Sequence, residues 1–267
     1  MMRPLPNSTE ASLGRAIEAL GGERFEVTLY QWLARCYEID NTTMLAYFQN
    51  RAPEVLFTQS MQPRVHDQIF STYLAGAYLV DPFYTLHLER APAGLYRMQD
   101  IAPDHFQRNE YYATYYRATT LVDEIAYVAY SAEGVSVHIG LGRDAASGRR
   151  FSPRDIAEAE RITPIVCGLI AQNWASLKSG GDFNDEALLD VLIAELRAVH
   201  DIALSPRQAQ IALMILRGHS SVSIALRLEI SAQTVKVFRK QLYRKCAISS
   251  QAELFSLVMP LLSQKLA

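Results

Sequence analysis

The segment from Ser231 to Lys245 places cations at Lys236, Arg239, Lys240, Arg244 and Lys245, with apolar Val235, Phe238 and Leu242 three and four residues apart among them. On a helix that spacing gathers the apolar side chains on one face, while Lys236, Arg239, Lys240 and Arg244 fall mostly on others. A helix fits the major groove of duplex DNA, and its N-terminal half approaches the base edges. Lysine donates to guanine O6/N7 or to phosphate, and arginine can do so with two parallel bonds. Ser231 and Thr234, together with the free N–H groups at the helix start, can hold a phosphate. The charge distribution agrees. From residue 203 onward there are nine Lys and Arg against two acids, while the first 202 residues hold seventeen bases and twenty-six acids, although the whole chain carries only −2. A small basic module attached to a larger acidic region is the electrostatic pattern of a protein that meets a polyanion. Any single lysine of this kind is as readily a solvated side chain; the set, in one short run, points to nucleic acid.

A second group of residues could bind rather than react. Tyr73, Tyr78, Asp81, Pro82, Phe83 and Tyr84 form one cluster, and Tyr111, Tyr112, Tyr115 and Tyr116 another, followed by Asp123-Glu124. Tyr111/Tyr115 and Tyr112/Tyr116 stand four apart and share helix faces. Rings with a few polar handles suit a buried small-molecule pocket, and aromatic faces beside a carboxylate suit a cationic amine. Each tyrosine taken alone also fits ordinary core packing with a satisfied hydroxyl. The candidate ligand residues are Tyr73, Tyr78, Asp81, Phe83, Tyr84, Tyr112, Tyr116 and Asp123.

Other chemistries lack their residues. There is no GxSxG, no HExxH and no Cys/His metal spacing, and the six histidines are scattered. Asp104-His105 is an ordinary loop pair, and adjacent Asp123 and Glu124 on a strand would point to opposite faces. No enzyme activity, metal or cofactor is expected. The first lysine in the chain is Lys178, so a phosphorylated receiver domain, which needs one beside its acidic pocket, is excluded. A glycine-rich phosphate loop followed by lysine is absent too. Cys36, Cys167 and Cys246 lie far apart, which fits a reducing cytoplasm. No run is long enough to span a bilayer and no signal peptide is visible, so a cytoplasmic protein without membrane partners is expected.

Periodicity places the elements that must position these groups. Helices are expected at 11–20, 26–37, 64–78, 110–118 and from Ser152-Pro153 to 177, and strands at 42–49, 54–59, 94–100, 124–130 and 135–140. Residues 132–134 would turn the last two strands into a hairpin. Five strands with helices before, between and after them imply an α+β sensor-like domain, an antiparallel sheet covered by helices, over 1–177. Lys178-Ser-Gly-Gly-Asp-Phe-Asn184 reads as a linker. The helix at 186–199 carries Leu188, Leu189, Leu192, Ile193 and Leu196 on one stripe, which suits packing between domains or a dimer contact equally. Residues 178–202 are thus a linker and connecting helix. An all-α four-helix module follows at 203–267, its helices opening at Ser205-Pro206 and at 222, 232 and 250.

The C-terminal stretch from Leu204 to about Leu254 resembles the LuxR-type helix-turn-helix family. Its recurring elements here are Leu-Ser-Pro-Arg at 204–207, Gly218, Ile224-Ala225-x-x-Leu228, Ile230-Ser231-x-x-Thr234-Val235-Lys236 and Arg244-Lys245. The resemblance implies a dimer on promoter DNA, with the fourth helix helping to pair protomers. It puts Lys236, Val237 and Lys240 at base-reading places, with Thr234 and Arg244 toward phosphate; Ser231 and Arg239 complete the candidate DNA set. Gln208, Ser223, Glu229, Phe238 and Cys246 depart from the family pattern. Glu229 stands where glycine is common and implies some backbone strain, and Phe238 removes a polar contact to the backbone of the DNA. Tyr73, Tyr78 and Asp81-Pro82 faintly resemble the autoinducer-binding domain of quorum-sensing LuxR proteins. The spacing and the tryptophans differ, which favours another small metabolite over an acyl-homoserine lactone. The order of elements resembles the PAS/GAF-like sensors. Together these imply a regulator whose small-molecule effector controls DNA binding; the alternatives are a lactone receptor, or an effector-independent regulator whose first domain binds a partner or holds the dimer.

Overall fold

The computed structural model describes residues 8–103, 106, 112–113, 115–180, 185–217 and 219–266. The chain divides into two compact units, residues 1–66, 90–100 and 120–181 in one, and 67–89, 101–119 and 182–267 in the other.

The first unit opens with helices α1 (Thr9–Glu18) and α2 (Phe25–Cys36), and strands β1 (Asn41–Phe48) and β2 (Glu54–Ser60) follow. Later come β3 (Gly94–Arg97), β4 (Leu121–Ala132) and β5 (Val135–Asp144). They form one antiparallel sheet in the order β2-β1-β5-β4-β3. The five strands and the hairpin expected from alternation are all present. Gly134, at φ 69°, makes the tight turn between β4 and β5, and a Cβ there would come within 3.2 Å of the Gln49 side chain. Strand alternation sorts the faces. Met44, Ala46, Phe48, Ile125, Tyr127, Ala129, Val137, Ile139 and Leu141 turn to one side and are buried with Phe25, Leu29, Trp32 and Leu33 of α2. The long helix Pro153–Asn173 (α5, after the short α4 named below) adds Ile156, Ala159, Ile162, Val166 and Ile170 to the same core. Its start is a capping box: Ser152 accepts from the Asp155 N–H and Asp155 accepts from the Ser152 N–H. Each fully buried large side chain in this layer contributes about 1.5–3 kcal/mol of transfer free energy.

The opposite face of β1 and β5 is buried but polar. Ser136 Oγ and His138 Nε2 lie 3.0 Å apart, the Tyr47 ring meets His138 edge-on at 4.6 Å, and Thr43 Oγ1 is 3.0 Å from His66 Nε2.

The expected helix at 64–78 is broken instead. Residues Pro63–Val65 and Ala77–Val80 are 3-10 turns, and Ile69–Tyr73 is a single π turn. Gly76 accounts for the break between the π turn and the second 3-10 turn: at φ 144°, ψ −18° its backbone adopts a conformation closed to residues with a Cβ, and no helix passes through it. Asp81 then caps α3 (Pro82–Leu88), with proline at its first position. A short turn, α4 (Met98–Ile101), follows β3, so the strand expected to reach 100 ends at Arg97. Of the helix expected at 110–118, residues 110, 111 and 114 lie outside the described residues; 112–113 are helical, and Tyr116–Thr119 is a 3-10 turn. Asp104-His105, and residues 181–184 of the expected linker, also lie outside them; 178–180 have no regular structure.

The remaining helices are α6 (Asp185–His200), α7 (Pro206–Leu216), α8 (Ser221–Arg227), α9 (Ala232–Lys245) and α10 (Gln251–Leu266). Leu188, Leu192 and Leu196 of α6 are fully buried, and α6 packs on α7 and α10. Three leucines of the expected stripe are thus consumed by packing inside the protomer, while Leu189 and Ile193 beside them are only half-buried.

Candidate nucleic-acid interface and aromatic cluster

Helices α7, α8 and α9 build the motif from local rules. Ser205 Oγ accepts from the Gln208 N–H at 3.2 Å and Gln208 Oε1 accepts from the Ser205 N–H at 3.1 Å, so glutamine preserves the capping box that the family's usual glutamate would make. Ile211, Ala212, Ile215 and Leu216 fill the core of the module with Ile224, Val235 and Leu242. Between α8 and α9 the chain turns through Glu229 at φ 53°, and the Ile230 N–H bonds to the Ala225 carbonyl at 3.0 Å. The expected non-glycine strain at this turn is therefore real. Ser231 caps α9 by accepting from the Thr234 N–H at 3.0 Å, and the two hydroxyls lie 2.8 Å apart.

The cations of the run divide by what they touch. Lys245, although exposed, folds back on the module and donates to the Ala203 carbonyl at 2.6 Å and to Gln208 Oε1 at 2.9 Å. Arg207 donates to the Leu228 carbonyl at 2.9 Å. Arg239 lies against Tyr243, donating to its hydroxyl at 3.1 Å with the guanidinium 5.2 Å from the ring centre. Lys236, Lys240 and Arg244 are exposed and make no ion pair or hydrogen bond among the described residues. Val237 is 45% exposed beside them, and Gln233 is exposed one turn earlier. Phe238, expected in the core with Val235 and Leu242, is only half-buried. Gln233 escaped the reading of the sequence because it is uncharged, although its spacing of three and seven residues from Lys236 and Lys240 marks the same stripe.

The aromatic residues are brought together largely as expected. Tyr73 packs against Tyr115 with ring centres 5.2 Å apart, Tyr78 meets Tyr84 edge-on at 5.0 Å, and Tyr84 stacks on His87 at 5.8 Å. Tyr112 and Tyr116 stack at 5.7 Å, as their four-residue spacing implies, and Phe106 sits edge-on to both. The Tyr73 hydroxyl donates to Asp81 Oδ2 at 2.6 Å, while Asp81 Oδ1 accepts from the Phe83 N–H at 2.8 Å. Tyr73, Tyr78, Asp81, Phe83, Tyr84 and Tyr116 are all buried. Asp123 belongs to the first unit, where its carboxylate accepts from the backbone N–H groups of Glu124 and Phe151. The polar trio Tyr47, Ser136 and His138 was not singled out from sequence, yet Ser136-x-His138-x-Gly140 alternates with the apolar Val137-x-Ile139-x-Leu141 and so announces a second, polar face.

The stretch that carries Asp81 also touches α7 and α8. Arg217 Nε donates to the Leu79 carbonyl at 3.0 Å, and Arg227 pairs with Glu89. Between α3 and α8 lies a cleft of about 330 Å³, bordered by Thr85, Leu86 and Glu89 on one side and Ser220, Ser223 and Arg227 on the other. His219, at its edge, is 3.2 Å from Ser223 Oγ through Nδ1. Burial, then the charges of Arg227 and Arg217, bring its pKa down to about 4, so the ring is neutral at pH 7.

A capped basic helix that presents exposed cations beyond a tight turn has the form of a helix-turn-helix module. Residues 203–258 match the model of the luxR family of bacterial regulatory proteins, GerE, and this module is a LuxR-family helix-turn-helix domain. The protein is similar to a curated HTH-type transcriptional regulator in the exeN 3′ region of Aeromonas salmonicida, with 29% identity over 185 residues, covering 67% of this chain and 93% of the relative. It is also similar to the crystal structure of the VqsR LBD domain from Pseudomonas aeruginosa, at 27% identity and a TM-score of 0.52, covering 63% of this chain and 98% of that one. The structure of SdiA in complex with octanoyl-rac-glycerol matches at 15% identity and a TM-score of 0.38, over 95% of this chain and 90% of that one. The N-terminal α+β region thus shares the architecture of the VqsR LBD domain. Among the described residues no helix is long and apolar enough to cross a membrane.

Proposed function

We propose that the protein is a cytoplasmic transcription regulator, acting as a homodimer, in which residues 1–177 take up a small-molecule effector and thereby control binding of promoter DNA by residues 203–267. Lys236, Val237 and Lys240 read bases, and Arg244 contacts phosphate. One observation carries the regulatory half: the segment from Leu79 to Glu89 holds Asp81, Phe83 and Tyr84 and is itself tied to the helix-turn-helix scaffold through Arg217 and Arg227. An effector that competes with Tyr73 for Asp81 would shift this segment and with it both ties. It can change DNA affinity only by as much as its own affinity differs between the two arrangements. The likeness to the VqsR LBD domain supports the ligand-binding assignment.

Thermal shift of the full chain against a metabolite panel, followed by DNA affinity with each stabilising compound, tests the reading. A compound that raises Tm and changes DNA affinity, with both effects lost in Asp81→Asn, is the expected result. No stabilising compound, with unchanged promoter binding, would overturn the effector half. That outcome would favour a second reading, in which the N-terminal region pairs protomers or docks a partner. One observation supports it: both Asp81 oxygens already have partners inside the chain.

A further inference from the structure

The exposed stripe of α9 holds Gln233, Lys236, Lys240 and Arg244, in steps of three and four, with Val237 four residues after Gln233, which is one face of a helix. Three of these are cations and one is a branched apolar side chain. Gln233 differs in kind. It is exposed, sits in the first turn of a 14-residue helix, and its amide has no hydrogen-bond partner among the described residues. The neighbouring polar groups of that turn are engaged, Ser231 with Thr234. A glutamine amide presents one donor and one acceptor side by side, the complement of adenine N7 and N6–H in the major groove; guanine offers two acceptors there and does not match.

We propose that Gln233 is a specificity-determining residue that reads an adenine at one end of the half-site. The inference rests on the placing of α9 in the major groove. Seven residues separate Gln233 from Lys240, about 10.5 Å of helix at 1.5 Å per residue, or roughly three base-pair steps at 3.4 Å. The adenine is therefore read about three pairs away from the base that faces Lys240, with Lys236 and Val237 over the pairs between. Val237 meets a thymine methyl where one is present. Because Gln233 is neutral, it adds sequence preference without adding to the salt dependence of binding.

Selection of bound duplexes from a randomised pool by the full chain, at low salt and with or without a metabolite extract, tests this against two variants. Gln233→Ala should lose the preference for adenine at one position, with about a 5- to 150-fold drop in affinity for the best site, and keep the preferences set by Lys236 and Lys240. Gln233→Glu, which accepts from cytosine N4–H, should move the preference at that same position toward cytosine. The slope of log affinity against log salt should be unaltered in Gln233→Ala. Identical selected sequences for wild type and both variants would overturn the assignment while leaving the groove placement intact. No selected sequence from the wild type itself would overturn the groove placement, and this inference with it.

Discussion

Replacing Lys240 by alanine should flatten the salt dependence of DNA binding, whereas replacing Lys245 should not, although the two cations lie five residues apart on one helix. Three cations of α9 (Lys236, Lys240 and Arg244) project outward without partners among the described residues, while Lys245 is bound to Ala203 and Gln208 and Arg239 to Tyr243. If each of those three, whether it reads a base edge as Lys236 and Lys240 do or meets a phosphate as Arg244 does, displaces one condensed counterion from the duplex, the slope of log affinity against log salt is about −2.7 for each protomer. Raising salt from 50 to 200 mM then weakens binding about 40-fold per protomer, and about 12-fold in Lys240→Ala, where the slope falls to about −1.8. Lys245→Ala should keep the wild-type slope and instead lose about 0.5–1.5 kcal/mol of stability, because it removes two hydrogen bonds of a largely exposed side chain whose acceptors water or Ser205 can still satisfy. Fluorescence anisotropy of a labelled promoter fragment, titrated at four or five salt concentrations, gives the slopes, and chemical denaturation gives the stabilities. Equal flattening by Lys240→Ala and Lys245→Ala would refute the division of the cations by whether they already hold partners within the chain.

Tyr73→Phe removes a 2.6 Å hydrogen bond to a buried carboxylate and should cost about 1.5–3 kcal/mol in urea denaturation; a loss near zero would mean that Asp81 is held by other groups. Glu229→Gly should raise stability by about 0.5–1 kcal/mol, since glycine adopts φ 53° without penalty, and an unchanged Tm would show the turn to be unstrained. The folded pKa of His219 lies at about 4, below its ordinary 6.5, so as pH falls through that window the unfolded chain takes up the proton first. Its contribution to stability is complete above pH 6.5 and is lost toward pH 4, at up to about 1.4 kcal/mol per pH unit. His219→Asn should show a shallower decline than wild type in denaturation at pH 7, 6, 5 and 4.5, and parallel curves would contradict the burial of a neutral ring.

The elements legible in the sequence are those whose signal is local. Val135 to Leu141 alternates cleanly, its hairpin partner is reached through a single glycine turn, and Ser205 and Ser231 start their helices where their caps can reach. The run from Arg64 to Tyr78 carries helical periodicity too, yet one residue, Gly76, takes a backbone conformation that periodicity does not reveal. The candidate DNA contacts show the same divide. Spacing placed Lys236 and Lys240 on a face away from Val235 and Leu242, but it gave no sign that Lys245 would reach partners 37 and 42 residues earlier. Asp123 followed the tyrosines closely in sequence, but its carboxylate is spent on the backbone of Phe151, 28 residues away, a contact that no local pattern encodes.

The irregularity between β1 and β2 has a consequence for solubility. Met44 faces Phe57 and Leu45 faces Val55, so Leu56 is an extra residue on the border strand. A bulge of this kind sharpens the local twist and misaligns the outer row of amide and carbonyl groups. An identical border on another molecule finds no straight template to extend along β2, so that edge is guarded against stacking into fibres at the concentrations a crowded cell imposes.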